Sequence, residues 1–332
     1  MDRRPWSLVH AQVHRQVKAR QLFPPAASIL VAVSGGQDSI ALLKLLQDLQ
    51  PKWHWSLQVA HCDHRWRPDS QANAAFVQDL CHQWHLPCRV AIADRVTKTE
   101  AEARQWRYAT LGALAQENHC TSIATGHTAS DRAETLLYNL VRGGGSDGLQ
   151  ALAWQRPLNP QKAEIGLVRP LLGLTRQQTA EFCQRFRLPI WADSTNQDLA
   201  YARNRLRLEV MPYLRDHFNP QVDRTLAQTA ELLAAEVDYL DQSAQALYAT
   251  VVQGGSETSP WRIHRLPLKT AHPALQRRVL RRVLQQVMAT QVSFEAVEKL
   301  VALIEAPNRH QTDPFAGGWV ALVEVDWIVL PC

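Results

Sequence analysis

The sequence predicts an α/β protein: a parallel sheet covered by helices, followed by a smaller, mostly helical domain. Three observations carry this prediction. Short apolar strands alternate with helical patterns, turn residues separate them, and polar clusters follow several of the strands. The chain has 332 residues, of which 46% are hydrophobic, so it is long enough for two domains.

The first part alternates strand and helix. The predicted strands are SILVAV, WSLQVAH, CRVAIA and TSIATG, at residues 28–33, 55–61, 88–93 and 121–126. Helical periodicity covers 39–49 and 70–84, and the DRAETLLYNLV segment is a helix that ends at three glycines. Between the last two strands lies a third helix, for which Thr97 and Glu100 have the spacing of a capping box.

After Gly145 the pattern becomes more helical. EIGLVRPLLGL predicts a short strand, TRQQTAEFCQRF a helix, and 191–214 runs from a loop into an arginine-rich helix. From about Asn219 helices dominate, and the alternation in WVALVEVDWIVL predicts one terminal strand. We place a boundary near Asp216–Pro220, which gives domains of residues 1–216 and 217–332.

Composition limits the classes of function. The net charge of +5 is a mild excess, so only its distribution can indicate a polyanionic partner. The N-terminus lacks the apolar core of a signal peptide, and no apolar run approaches the roughly 18 residues of a membrane span. The six cysteines are scattered without a CxxC, which favours free thiols. We therefore expect a cytoplasmic protein without a membrane partner.

Polar clusters follow three of the predicted strands: SGGQDS, HCDHR and TGHTASD. Open parallel sheets bind ligands at the carboxyl ends of their strands, so we expect the clusters to share one rim. Any one cluster could be an ordinary polar loop, because loops are polar in general. That explanation is weak for all three together.

The SGGQDS cluster predicts a phosphate site. Gly35 and Gly36 allow positive φ and close backbone approach, and the N–H groups that open the next helix attract an anion. Ser34 and Ser39 add hydroxyl donors. No lysine follows the glycines, and Asp38 beside a polyphosphate indicates a cation such as Mg²⁺. The alternative is a strand–helix turn that needs glycine for packing.

This loop resembles that of the PP-loop ATP pyrophosphatases, which transfer AMP from ATP to a substrate oxygen and release pyrophosphate. Amidation, thiolation and lysine transfer all occur in that superfamily. Further segments narrow the resemblance to the tRNA(Ile)-lysidine synthases. They are VAHCDHRWR, TEAEARQWRY, TGHTASDRAETLLYNLVRGGGSDGL, VRPLL and WADSTNQDLAYARNRLRLEVMPYL, in order between residues 59 and 214.

The resemblance implies a set of site residues. ATP would lie against Ser34, Gly35, Gly36, Gln37, Asp38, Ser39, Ala60, His61, Gly126 and His127. Catalytic roles would fall to Asp38, Arg104, Asp131 and Glu134, with Asp38 and Asp131 as Mg²⁺ ligands. The sequence departs from the family pattern at Ser130, where many relatives have the first Asp of a pair.

Each catalytic assignment has a plainer alternative. Arg104 has the spacing of a helix-surface partner for Glu100. Asp131 and Glu134 share one face at a helix start, where acidic residues also compensate the helix dipole.

Two basic segments predict RNA binding. Arg203, Arg205 and Arg207 lie in one helical stretch. No acidic residue occurs between Glu257 and Glu295, a segment that includes Arg277, Arg278 and Arg281. A solvated helix face is the usual alternative. Lysidine synthases bind tRNA with their C-terminal part, so the resemblance favours RNA contact.

The resemblance implies ATP with Mg²⁺, L-lysine and a tRNA(Ile) with a CAU anticodon as substrates; a homodimer is possible. O2 of the wobble cytidine would attack the α-phosphate, and the lysine ε-amine would then displace AMP to form lysidine. One rival is a PP-loop tRNA thiolase, against which the missing CxxC counts. The other is an inert RNA-binding protein, against which the intact loop, Arg104 and Asp131 count.

Overall fold

The computed structural model describes residues 6–66, 68–97, 99–159, 162–192, 198–255, 259–288 and 292–331. The chain divides into two compact units, Met1–Ala234 and Ala235–Cys332. One long helix, Val222–Val251, begins in the first unit and ends in the second. The domain boundary near Asp216–Pro220 stays a prediction.

The first unit is built on a six-stranded sheet. Its strands are β1 (Ser28–Ala32), β2 (Ser56–Asp63), β3 (Cys88–Ile92), β4 (Ser122–Ala124), β5 (Gln155–Asn159) and β6 (Lys162–Val168). Their order is β3-β2-β1-β4-β6-β5, with every pairing parallel except that of β5 with β6. The predicted parallel-sheet α/β fold is therefore confirmed.

Helices cover both faces of this sheet. They are α1 (Leu8–Ala19), α2 (Gln37–Trp53), α3 (Ser70–Gln83), α4 (Glu100–Glu117), α5 (Ala129–Val141), α6 (Ser146–Leu149), α7 (Arg176–Arg185), α8 (Ala202–Arg205) and α9 (Met211–His217). Neighbouring residues of β1 serve opposite faces: Ile29 and Val31 pack in the core with α2, and Leu30 packs in the core with α4. All three side chains are fully buried, as the continuous apolar run of a central parallel strand requires.

The start of α4 differs from the prediction. Its N-cap is Thr99, whose side chain accepts a hydrogen bond from the Glu102 N–H at 3.1 Å. The capping box proposed for Thr97 and Glu100 is wrong, and Thr97 is buried instead. Both threonines have a glutamate three residues later, so spacing alone could not choose between them.

Helix α1 and strand β5 are among the elements that the sequence patterns missed. Helix α1 lies in the N-terminal segment, for which only the absence of a signal peptide was considered. Strand β5 is short and contains Pro157, which is tolerated because β5 forms an edge of the sheet. Within α8–α9 the chain makes one π-helical turn at Leu206–Val210.

The second unit is mostly helical, as predicted, but it also holds a four-stranded antiparallel sheet. The helices are the last part of α10 (Val222–Val251), α11 (Arg265–Thr270), α12 (Pro273–Val287) and α13 (Phe294–Ala302). The strands are β7 (Val252–Gln253), β8 (Trp261–His264), β9 (Leu322–Glu324) and β10 (Trp327–Leu330), in the order β7-β8-β10-β9.

The predicted single terminal strand is wrong: β9 and β10 form a hairpin. The chain turns at Val325, whose φ is 55°, a value that a β-branched residue rarely adopts. Alternation of apolar and polar residues continues through the turn, which is why the pattern gave no sign of it. None of the helices in the described part of the chain combines the length and the hydropathy that a bilayer crossing requires.

Candidate active site

A cavity of about 700 Å³ lies at the carboxyl ends of β1, β2 and β4. All three predicted polar clusters contribute to its walls, as the geometry of a parallel sheet requires. The lining residues from these segments are Ser34, Gly36, Gln37, Asp38, Ser39, Ala60, Cys62, His64, Thr125, Gly126, His127 and Asp131. The polar clusters are therefore one site and not three separate loops.

The loop between β1 and α2 is shaped for close approach of an anion. Gly35 has a φ of 89°, and a Cβ there would lie 2.4 Å from Asn73 Oδ1. Ser39 Oγ accepts a hydrogen bond from the Ser34 N–H at 3.2 Å and donates to the Gly36 carbonyl at 2.8 Å. Gly36 is the N-cap of α2 and has no side chain to occupy the first N–H groups of the helix. These N–H groups and the helix dipole favour a phosphate here.

The loop after β4 packs directly on this phosphate loop. A Cβ on Gly126 would lie 2.9 Å from the backbone carbonyl of Asp38, so only glycine allows the approach. The adjacent His127 ring is hydrogen-bonded to Thr125 Oγ1 at 2.9 Å. Burial, assisted by nearby arginines, lowers the pKa of His127 to about 3. The imidazole is therefore neutral at physiological pH and can serve only as a hydrogen-bonding group.

Three carboxylates and two arginines form what we call the carboxylate network: Asp38, Asp131, Glu134, Arg176 and Arg207. The Arg176 guanidinium contacts all three carboxylates, with N–O distances of 3.3 Å to Asp38, 2.6 Å to Asp131 and 2.8 Å to Glu134. Arg207 lies 3.3 Å from Asp131 and 2.9 Å from Glu134. The network thus joins α2, α5, the start of α7 and the π-helical turn.

The charges in this network are strongly coupled. Burial, together with the negative charge of Asp131, raises the pKa of Asp38. Burial would also raise the pKa of Asp131, but Arg176, His127 and the Thr128 N–H outweigh it and lower that pKa. The carboxylates in turn raise the pKa of Arg176. Asp131 is therefore a stable anion and a poor proton acceptor.

The carboxylates fit a cation that is shared with substrate phosphates. Among the described residues, no three His, Cys, Asp or Glu side chains are grouped as an all-protein metal site. Asp38 and Asp131 both line the cavity with the phosphate loop, and the negative charge of Asp131 acts on Asp38. Mg²⁺ commonly binds through one or two carboxylates plus phosphate oxygens. The donor set therefore suits Mg²⁺ that arrives with a nucleotide.

Ser130, the departure from the family pattern, has a structural role. Its Oγ accepts a hydrogen bond from the Arg176 backbone N–H at 3.1 Å, and it does not line the cavity. The neighbouring Thr128 is the N-cap of α5 and donates to Asp131 Oδ2 at 2.7 Å. These contacts fix the helix start that presents Asp131 and Glu134.

A second cavity, of about 330 Å³, shares walls with the first. Both are lined by His64, Arg107, His127, Asp131 and Arg207. The walls specific to the second cavity are Trp66, Glu100, Ala103, Arg104, Glu134, Tyr201, Arg203 and Asn204. It therefore offers both carboxylates and guanidinium groups to a ligand of mixed charge.

Some predicted residues lie elsewhere than expected. The buried His61 ring is bonded to the Val33 carbonyl at 2.8 Å, and Ala60 instead lines the main cavity. Arg104 lines the second cavity, and Arg107, one turn further along α4, lines both. Gln37 is bonded to Thr179 Oγ1 at 2.9 Å and to the Arg176 carbonyl at 2.8 Å, so it also anchors α7.

The arginines proposed to bind tRNA fall into different environments. In the first unit, Arg203 lines the second cavity, Arg207 belongs to the carboxylate network, and Arg205 is exposed. In the second unit, Arg277 pairs with Glu298 at 2.7 Å and Arg278 pairs with Asp241, while the neighbouring Arg281 is half-buried on the same helix. Their role in tRNA binding stays a prediction.

Sequence reasoning missed four polar residues that line the main cavity: Arg107, Tyr108, Arg176 and Trp191. Arg176 follows β6, which pairs with β4 and so ends at the same rim. The position of β6 beside β4 would have identified it, but strand order is not readable from one sequence. Arg107 and Tyr108 lie on α4 in the TEAEARQWRY segment, from which only Arg104 was predicted to belong to the site.

Comparison with known proteins gives a consistent result. A PP-loop domain family matches residues 9–214, and a TilS substrate binding domain family matches residues 264–323. A tRNA(Ile)-lysidine synthase of Nostoc sp. is 55% identical over 98% of this chain and 97% of its own length. The enzyme of that name from Synechocystis sp. is 47% identical over 97% of each.

A solved structure supports the fold. The U34-tRNA thiolase NcsA from Methanococcus maripaludis superposes with a TM-score of 0.57, covering 68% of this chain and 78% of its own. Its sequence is 14% identical. This likeness bears on the fold alone.

Proposed function

The chain belongs to the tRNA(Ile)-lysidine synthase family, and from that premise we propose that it joins L-lysine to the wobble cytidine of a tRNA(Ile) with a CAU anticodon. The reaction consumes ATP, passes through an adenylated cytidine, and releases pyrophosphate and AMP. The lysidine product pairs with A in place of G. Decoding and charging therefore change from methionine to isoleucine.

The main cavity supports the ATP half of the reaction. The loop of Ser34–Ser39 and the first turn of α2 supply N–H and hydroxyl donors for the phosphates. Ala32, Ala60 and Leu111 give the cavity an apolar surface of the kind that adenine requires. A nucleotide bound in this way has its α-phosphate between the loop and the carboxylates, where cytidine O2 attacks it.

Mg²⁺ would be held by Asp38 and Asp131 together with phosphate oxygens, and it would neutralise charge on the polyphosphate. The chain itself holds the two carboxylates in place through Arg176 and through the Thr128 N–H. It also seats the pyrophosphate leaving group against the helix N-terminus. Catalysis is then mainly positioning and charge compensation.

The second cavity suits lysine. A lysine zwitterion carries two ammonium groups and one carboxylate, and the walls offer Glu100 and Glu134 for the former and Arg203 for the latter. Asp131 lines both cavities, so an ε-amine directed towards it faces the reacting cytidine. The amine attacks C2, the C2–O2 bond breaks, and AMP leaves with the O2 oxygen.

The ε-ammonium must lose a proton before it attacks. Asp131 is bonded to Arg176 and Thr128 and has a lowered pKa, so its contacts favour holding the ammonium over accepting its proton. His127 is neutral and adjacent, and water at the cavity mouth is the simplest proton acceptor.

The observation that carries the proposal is the connection of the two cavities through shared walls, one with a phosphate loop and one with mixed charge. A sulfur-transfer enzyme of the same fold needs no amino-acid pocket at that position.

The test is a reaction of the protein with ATP, Mg²⁺, isotopically labelled lysine and unmodified tRNA(Ile). After nuclease digestion, mass spectrometry should find lysine added to the wobble cytidine, with one AMP and one pyrophosphate released per product. A transcript with uridine at the wobble position is the matched control and should gain no mass. Lysine-independent sulfur addition, or no modification, would contradict the proposal.

A further inference from the structure

Four arginines surround the ring of Tyr108 on α4, and we call this group the Tyr108 cluster. The guanidinium carbons of Arg104, Arg107 and Arg156 lie 5.2, 5.4 and 5.6 Å from the ring centroid. Arg169, which follows β6, is close enough to act on the charge of the phenol. Two helix residues, one edge-strand residue and one loop residue thus converge on a single aromatic ring.

The cluster has no acidic partner among the described residues. Arg156 donates to the Pro157 carbonyl at 3.0 Å, and Arg169 donates to the Ala153 carbonyl at 2.6 Å. Arg104 and Arg107 form no ion pair within the described ranges. Of the acidic side chains that line the second cavity with Arg104 and Arg107, Asp131 and Glu134 are bonded to Arg176 and Arg207, and Glu100 forms no ion pair with an arginine of the cluster in the described part of the chain.

One buried nitrogen of the cluster lacks a partner. Arg169 is only 2% exposed, yet its Nε has no hydrogen-bond acceptor in the described part of the chain. The Tyr108 hydroxyl is also buried and interacts with the Arg169 guanidinium, which leaves the hydroxyl proton for another acceptor. A buried N–H without an acceptor is costly, and this cost falls when an anion binds.

The electrostatics of the ring reflect the excess of positive charge. Burial alone would raise the pKa of Tyr108, but Arg104, Arg107, Arg169 and Arg156 outweigh it and lower that pKa. Burial lowers the pKa of Arg169; the Tyr108 phenol opposes this effect, and Arg156 and Arg104 add to it. The site thus disfavours further positive charge and favours negative charge.

We propose that the Tyr108 cluster binds a backbone phosphate of the RNA substrate, next to the nucleotide whose base enters the main cavity. The inference rests on the proposed function, because it assumes an RNA base in that cavity. Guanidinium groups donate pairs of hydrogen bonds to phosphate oxygens, and the Tyr108 hydroxyl adds a further donor. In a nucleotide, only the sugar separates the base from the backbone phosphates. When the base reaches the α-phosphate of ATP, a backbone phosphate therefore lies beside the cavity, where cationic side chains can bind it.

The location favours RNA over ATP as the source of this phosphate. The phosphate loop already supplies donors for ATP, and only Arg107 and Tyr108 of the cluster line the main cavity. Arg104 lines the second cavity, and Arg156 lies on the edge strand β5, outside both sets of lining residues. The cluster therefore extends from the residues of the nucleotide cavity to an edge strand that lines neither cavity.

The test uses the full chain and direct binding of unmodified tRNA(Ile) without ATP or lysine. Arg156→Gln should weaken binding about tenfold, the effect of one charged hydrogen-bonding contact. It should also reduce the slope of log affinity against log salt by about one. Arg156→Lys keeps the charge and should restore most of the slope.

Arg89→Gln is the matched control. Arg89 is exposed on β3, the strand at the opposite edge of the same sheet, and its loss should change tRNA affinity less than twofold. Equal losses of tRNA affinity in Arg89→Gln and Arg156→Gln would overturn the proposal. They would show that affinity depends on the total positive charge of the protein and not on the Tyr108 cluster. A raised KM for ATP with unchanged tRNA affinity in Arg156→Gln would also overturn it, since the phosphate would then belong to ATP.

Tyr108→Phe provides a second, independent test. If the hydroxyl donates to an RNA phosphate, this variant loses tRNA affinity in direct binding. Unchanged tRNA affinity in Tyr108→Phe and Arg156→Gln together would contradict the proposal. A failure of the proposed function would show separately, as wild-type protein that binds tRNA but forms no lysidine.

Discussion

The two arginine groups at the rim of the sheet differ in one respect: their partners. In the carboxylate network, Arg176 and Arg207 contact three carboxylates. In the Tyr108 cluster, the four arginines have an aromatic ring and backbone carbonyls but no described carboxylate. The arginines of the first group are paired within the chain, and the positive charge of the second group is balanced by a ligand.

Arginine can therefore serve both structure and ligand binding at one site. A paired arginine holds carboxylates at fixed positions, and removing it leaves buried negative charge. An unpaired arginine adds repulsion to the fold, so removing it relieves the fold and harms only the binding of an anion. The following predictions test this contrast, in order of decreasing effect.

The largest effect is expected at Asp38, the carboxylate nearest to the phosphate loop. Asp38→Asn should lower kcat for lysidine formation by about 100-fold to 1,000-fold, because charge compensation at the phosphates is usually the dominant catalytic contribution. Pyrophosphate release under saturating substrates measures it. Asp79→Asn, an exposed change on α3, is the control and should be neutral. Unchanged kcat in Asp38→Asn would remove Asp38 from the mechanism.

The stability effect of Arg176 comes next. Arg176→Gln leaves Asp131 and Glu134 with only Arg207, and it should lower the free energy of unfolding by about 3 kcal/mol. Urea denaturation measures the change. The matched variant is Arg107→Gln, which removes one of several like charges and should leave stability unchanged or slightly higher. Similar losses in both variants would mean that the two groups do not differ as described.

A smaller effect is expected for lysine binding. Glu134→Gln removes one acidic wall of the second cavity and should raise KM for lysine about tenfold, as expected for one charge-assisted contact. Steady-state kinetics at varied lysine and fixed ATP measure this. The KM for ATP serves as the internal control and should stay within about twofold. A larger rise in KM for ATP than for lysine would assign Glu134 to the nucleotide.

The smallest effect concerns the paired arginines of the second unit. Glu298→Gln removes the partner of Arg277 and should strengthen tRNA binding by about twofold, since an exposed charge is worth little. Filter binding at low salt measures the gain. No change in affinity at low salt would indicate that this face of α12 lies away from the RNA.

The sequence allowed the fold class and the phosphate loop to be predicted because both depend on local patterns. Apolar runs identify strands, and the Gly35–Gly36 pair needs no long-range information. The capping residue of α4 could not be predicted, since Thr97 and Thr99 offer the same spacing. The turn at Val325 was missed because alternation continued through it.

The partners of the site residues could not be predicted from the sequence, for a different reason. The contacts of Arg176 depend on β6 lying beside β4 and on α7 packing against α2, which are long-range features. Arg207 was assigned to RNA from its place in a basic segment, but a π-helical turn presents it to Glu134. Local sequence specifies which residues are charged, and the fold decides which of them are paired.

The most direct test of this account is thermal unfolding of wild type, Arg176→Gln and Arg107→Gln, each with and without unmodified tRNA(Ile). We expect Arg176→Gln to lower the midpoint in the absence of tRNA. We expect Arg107→Gln to keep the tRNA-free midpoint and to lose most of the rise that tRNA causes. An Arg107→Gln protein that unfolds as early as Arg176→Gln, and that keeps the full rise with tRNA, would contradict the distinction between the two arginine groups.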